Sequence, residues 1–142
     1  MLVPVNPDAI RHARENAGLT QHQLAREVGI AGGERVSKWE LGTATPRLEV
    51  LAKVARVVES DLPALLAPGF QLVGVVRLRA AQLLSVSEAA RRCHVSVATY
   101  ERWEKGSTVH GPTGASLAVF AQVMQVSEAK AEAALRESRQ LR

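Results

Sequence analysis

The chain is written twice. The segment Leu19-Thr-Gln-His-Gln-Leu-Ala-Arg-Glu-Val-Gly-Ile30 aligns with Leu84-Ser-Val-Ser-Glu-Ala-Ala-Arg-Arg-Cys-His-Val95, and Val36-Ser-Lys-Trp-Glu-Leu-Gly42 aligns with Tyr100-Glu-Arg-Trp-Glu-Lys-Gly106. The offset is 65 at Thr20/Ser85 and 64 at Trp39/Trp103, so the first copy carries one extra residue, expected within Ala31-Gly32-Gly33. A repeat governs how everything else is read, because each copy must form the same local unit whether the copies share one core or build two. At 142 residues, length alone permits either.

Each copy reads as a run of helices. Asn6-Pro7-Asp8 supplies an N-cap, a first-turn proline and an acid near the helix dipole, after which Ile10, Ala13 and Ala17 share a face, predicting a helix from about Pro7 to Ala17. Thr20 with Gln23, and Ser85 with Glu88, fit the capping box, and each opens a second helix whose Leu24, Ala25 and Val28, or Ala89, Ala90 and Cys93, are spaced to face a core. Third helices are expected over Glu34–Leu41 and Val97–Lys105, closed by Gly42 and Gly106. Val36 with Trp39 and Tyr100 with Trp103 lie three apart and face inward, which makes the tryptophans core residues rather than base-stacking platforms. Thr45-Pro46 and Gly111-Pro112 mark fresh helix starts. A short helix after Ser60 reaches Leu66, and a last one, capped by Ser127, extends to about Leu141. Its Ala131, Ala134, Leu135 and Leu141 form a narrow apolar stripe, readable as packing on the second copy or as a dimerisation face.

Several classes of function lack a foothold. No run of 18 apolar residues occurs, and the N-terminal MLVPVNPD lacks the basic start and long apolar stretch of a secretory signal, so a cytoplasmic protein without membrane association is expected. Cys93 stands alone in a helical apolar pattern and reads as a buried, inert thiol, while His12, His22, His94 and His110 are scattered. No metal set, acid–base pair or phosphate loop can be assembled, so neither a cofactor nor an enzyme is expected. The net charge of +4 suits a polyanionic partner and is unevenly placed: residues 1–67 carry eight basic and eight acidic side chains, residues 68–142 ten and six.

The pattern Ala17-Gly-Leu-Thr-Gln, Leu24-Ala, Val36-Ser-Lys-Trp-Glu-Leu-Gly42 and Pro46-Arg47 closely resembles the helix-turn-helix region of the phage-repressor (Cro/XRE-like) family. The second copy is more divergent but keeps Leu84-Ser85, Ala90, Val95, Trp103-Glu104 and Gly106. The resemblance implies an all-α fold of two tandem five-helix repressor-like helix-turn-helix units, residues 1–67 and 68–142, packed together because Ala67-Pro68-Gly69 is too short for a loose tether. It also implies double-stranded DNA as the partner, with the third helix of each unit in the major groove.

Carried over by position, Gly33, Glu34, Arg35, Ser37 and Lys38 would face DNA in the first unit. Glu34 could accept from cytosine, and Arg35 or Lys38 could donate to guanine. Gln21 resembles the family glutamine that bonds a phosphate and braces the recognition helix, and Arg47 the family's backbone contact. The equivalents in the second unit are Val97, Ala98, Thr99 and Arg102, with phosphate contacts from Lys105, Ser107, Thr108 or His110, since Val86 replaces the bracing glutamine and no arginine follows Pro112. Arg91 and Arg92 suit either a phosphate or an exposed helix face. Two roles follow. One is a sequence-specific transcriptional regulator, a repressor, reading neighbouring groove segments with both units. The other is an antitoxin or a plasmid or telomere maintenance factor, whose second unit binds a protein partner or a second copy of the chain.

Overall fold

The computed structural model describes residues 3–108 and 111–141. The chain divides into two compact units between Gln71 and Leu72. Ala67 and the turn after it stay with the first unit because the Ala67 N–H donates to the Pro4 carbonyl at 3.0 Å, beside an isolated antiparallel bridge between Val5 and Leu66. Each unit holds five helices among the described residues, and none of the ten is long and apolar enough to cross a membrane.

The first unit comprises α1 (Pro7–Asn16), α2 (Gln21–Glu27), α3 (Gly33–Leu41), α4 (Leu48–Val57) and α5 (Leu62–Leu65). Asn6 caps α1 by accepting from the Ala9 N–H, and Thr20 with Gln23 closes a reciprocal capping box at α2, so local chemistry sets both starts. Ile10, Leu24, Val36, Trp39, Leu48, Leu51, Val54 and Leu65 are all but inaccessible to solvent and form the core. At about 1.5–3 kcal/mol for each large side chain removed from water, their burial is the main favourable term. The α4 start departs from expectation. Pro46 is buried, and the chain remains extended through Arg47, the N-cap, before turning into helix at Leu48. The proline anchors the approach to the helix instead of occupying its first turn, and the second unit does the same with buried Pro112 and N-cap Thr113.

The second unit comprises α6 (Gly74–Ala81), α7 (Val86–Arg92), α8 (Val97–Lys105), α9 (Gly114–Met124) and α10 (Glu128–Gln140). Its core includes Val75, Leu84, Ala89, Tyr100, Trp103, Phe120 and Met124. Trp103 is clasped edge-to-face by Tyr100 on one side and Phe120 on the other, with centroids 5.8 and 5.6 Å away. The long α10 takes the place of the four-residue α5 and packs on α6, α8 and α9. Ala131, Ala134 and Leu135 are buried in that contact, while Leu141 is exposed. The apolar stripe of the last helix is thus used within its own unit.

The extra residue can now be placed. Gly29 and His94 both adopt positive φ, and the Ile30 and Val95 N–H groups both return to the alanine five residues back, Ala25 and Ala90, so the offset of 65 holds through Ile30. Gly32 and Ser96 are the N-caps of α3 and α8, so the offset is already 64 there. Ala31 is the insertion.

Candidate nucleic-acid interface

In each unit two short helices, α2–α3 and α7–α8, are joined by a tight turn, and the second of the pair exposes one face to solvent. On α3 that face carries Glu34, Arg35 and Lys38, with Ser37 half-buried beside them, while Val36, Trp39 and Glu40 point inward. Neither Arg35 nor Lys38 has a side-chain hydrogen bond or ion pair among the described residues, so both cations are available to an acceptor from outside the unit. On α8 the corresponding face carries Val97, Ala98 and Arg102, with Lys105 one turn further on and 4.0 Å from Glu101. Thr99 is half-buried, and its hydroxyl accepts from the Ser96 hydroxyl at 3.0 Å, which in turn caps the helix by accepting from the Thr99 N–H. That leaves the Thr99 hydroxyl one proton to donate outward.

Gly33 also has a packing role. A Cβ there would lie 2.8 Å from the His22 backbone nitrogen, so the bare side of Gly33 faces the first turn of α2. Its lack of a side chain allows α3 to approach α2 closely, and Gly33 itself is half-buried at the start of the helix.

The orientation of each exposed helix is held by an ion pair that the sequence reading did not pick out. Arg14 of α1 grips Glu40 of α3 through two bonds, Nε to Oε2 at 2.6 Å and Nη2 to Oε1 at 2.9 Å, and its Nη1 donates to the Leu19 carbonyl at 2.8 Å. In the second unit Arg79 of α6 and Glu104 of α8 repeat the pair at 2.6 and 3.3 Å, with Nη1 on the Leu84 carbonyl at 3.0 Å. One guanidinium therefore ties the first helix, the turn before the second and the third helix together. The pairs recur at offsets of 65 and 64, the same offsets as the repeat, and that recurrence was the signal available in the sequence.

The units differ at the third member of this cluster. Gln21 donates from Nε2 to Glu40 Oε1 at 3.1 Å, so the side chain that opens α2 also braces α3. Burial pushes the Glu40 carboxyl up, but the bonds from Arg14 and Gln21 outweigh it and hold the group below the ordinary carboxylate value. Val86 stands at the position of Gln21 and can make no such bond. Tyr100, in place of Val36, instead brings a hydroxyl near the corresponding carboxylate of the second unit, Glu104. Burial and then the charge of Glu104 push the phenol well above its ordinary value, and the hydroxyl completes no well-formed hydrogen bond. In the first unit the polar bridge thus crosses between α2 and α3 through the Gln21 amide, a group that Val86 does not supply in the second.

Around these helices, Arg47 is exposed at the N-cap of α4, and Arg91 and Arg92 are exposed on α7. Thr43 and Ser107 cap the ends of α3 and α8 alike, their N–H groups donating at 3.0 Å to the Lys38 and Arg102 carbonyls. Thr108 is half-buried, and His110 lies outside the described residues. Cys93 is buried, and burial pushes its thiol up to about 11, so it carries no thiolate for chemistry at neutral pH.

No curated protein and no solved structure matches the chain. A sequence model of the helix-turn-helix family matches it twice, at residues 10–65 and again at 76–130, so that each match spans the ion pair and the exposed third helix of one unit, with most of its buried core. With two matched segments that together cover most of its length, the chain belongs to the Cro/XRE-type helix-turn-helix family of DNA-binding transcription regulators.

Proposed function

We propose that this protein is a sequence-specific repressor that reads double-stranded DNA with α3 and α8, each laid in a major-groove segment of one site. The observation that carries the reading is the sorting of charge on α3: its inward acid, Glu40, is neutralised by Arg14, while Arg35 and Lys38 stand exposed without internal partners. Two exposed cations on a rigidly braced helix suit guanine O6 and N7, and Glu34 suits a cytosine amino group. Gln21 and Arg47 flank them with donors for the phosphate backbone. On α8, Val97 and Ala98 suit a thymine methyl group, Thr99 either base edge, and Arg102 and Lys105 guanine or phosphate.

The test is selection from a random duplex library by the wild type, Lys38→Ala and Arg102→Ala at fixed salt. A two-part motif, with each substitution relaxing one part, is the expected result. Loss of preference with Lys38→Ala alone would favour the second reading, in which α8 and its surroundings hold a protein partner or a second copy, as in an antitoxin or a plasmid or telomere maintenance factor. Val86 in place of Gln21 and Thr113 in place of Arg47 are what favour that reading. If nothing is enriched, specific recognition of duplex DNA is wrong.

A further inference from the structure

The second unit carries a surface cavity of about 270 Å³ between the 111–113 segment and one face of α10, where Glu132, Leu135, Arg136 and Arg139 line it. Two features give the cavity a direction. Its far wall is part of α10 that sits at the end of the exposed helix: a Cβ on Gly106, the residue that closes α8, would collide with the Ser138 carbonyl and lie 2.6 Å from Arg139 Cα. Its near wall leads into Thr113, the N-cap of α9, which follows a buried proline as Arg47 does at α4. The arginine missing from the N-cap has a spatial substitute, because a Cβ on Gly111 would lie 3.7 Å from Arg139 Nη1. The guanidinium of Arg139 therefore lies over the loop that leads to α9, with Arg136 one turn earlier on the same helix face.

Neither arginine has a hydrogen bond or ion pair among the described residues. Glu132 lines the same cavity without closing a pair to either. Two guanidinium forks beside the end of α8 match the paired oxygens of a phosphodiester better than any neutral ligand. The first unit has no counterpart, since α5 is four residues long and offers no helix turn in this position. We propose that Arg136 and Arg139 form the phosphate clamp of the second unit and hold the DNA backbone from α10, replacing the contact proposed for Arg47 in the first unit. This rests on the reading of the protein as a duplex-DNA binder.

The test uses the full chain and the duplex enriched by selection, with affinity measured from 50 to 200 mM salt for the wild type, for Arg136→Gln with Arg139→Gln, and for Arg136→Lys with Arg139→Lys. Each lost phosphate contact lowers the slope of log affinity against log salt by about 0.9. The glutamine variant is expected to have a slope shallower by about 1.8, so that the wild type loses about tenfold more affinity than the variant across this range. Its sequence preference and melting temperature should be unchanged, and the lysine variant should keep most of the slope. An unchanged slope in the glutamine variant overturns the clamp, even if inorganic phosphate titrated into the protein shifts the arginine resonances, because the site would then serve a free phosphate. Equal loss in both variants together with a lowered melting temperature also overturns it, by assigning the arginines to the fold. Failure of the wild type to bind duplex at all would instead bring down the DNA-binding reading, and the clamp with it.

Discussion

Glu40 and Glu104 follow a core tryptophan on helices otherwise suited to meeting a polyanion, and each is buried against an arginine from the first helix of its unit. Burying both charges is costly, so the gain over an apolar pair is small, but removing one partner strands the other. Glu40→Gln is therefore expected to destabilise the first unit by about 3 kcal/mol in denaturant titrations at pH 7. The pH dependence has a definite sign. Because the folded Glu40 carboxyl is held below its ordinary value of 4.5, its contribution is fully present above that value and is lost as pH falls towards the lowered folded one. The difference in stability between wild type and Glu40→Gln should accordingly shrink between pH 5 and strongly acidic conditions; a difference that stays constant over that range would show that the charge is not what Glu40 contributes. The capping pairs Thr20/Gln23 and Ser85/Glu88 were legible from spacing because both partners lie within one helical turn. The Arg–Glu pairs were not, since 26 and 25 residues separate their members.

At the scale of the helix, the two units end their exposed helices with the same device for different reasons. Gly42 and Gly106 both adopt left-handed backbone, with φ of 77° and 67°. A side chain on Gly42 would meet nothing closer than Pro7 at 3.7 Å, whereas one on Gly106 would run into the backbone of α10. Gly42→Ala is expected to cost about 1–2 kcal/mol from backbone strain alone, and Gly106→Ala clearly more, because α10 must also move away. Thermal unfolding of the two variants compares them directly, and equal losses would mean that α10 is not seated against α8. The contrast could not be seen in the sequence, where both glycines follow a Trp-Glu pair at the same spacing. The helix start at α4 was misplaced for a related reason: Pro46 and Pro112 are buried just before the helices, and extended Arg47 and Thr113 follow them as N-caps, so the prolines lie outside the first turn.

At the scale of the molecule, each unit has its own buried core among the described residues. Residues 1–71 and 72–142 expressed separately should each give helical circular dichroism and a cooperative melt; a fragment that remains unfolded would mean that its core depends on the other half. What the amino-acid sequence determined by itself is the repeat, the identity and order of most helices, and which face of each third helix looks outward, because capping and helical periodicity close over three or four residues. Tertiary structure decided the rest. The start of α6 carries no capping side chain of its own: the Gly74 N–H donates to Glu137 Oε2 and the Val75 N–H to Ser138 Oγ, both at 3.0 Å and both 63 residues away. The same distant helix closes on Gly106 and brings Arg136 and Arg139 beside α9, while Arg14 and Arg79 reach across their units to fix the exposed helices. Each of these partners is chosen by three-dimensional proximity after the cores have packed, and no local spacing rule records which arginine or which serine will arrive.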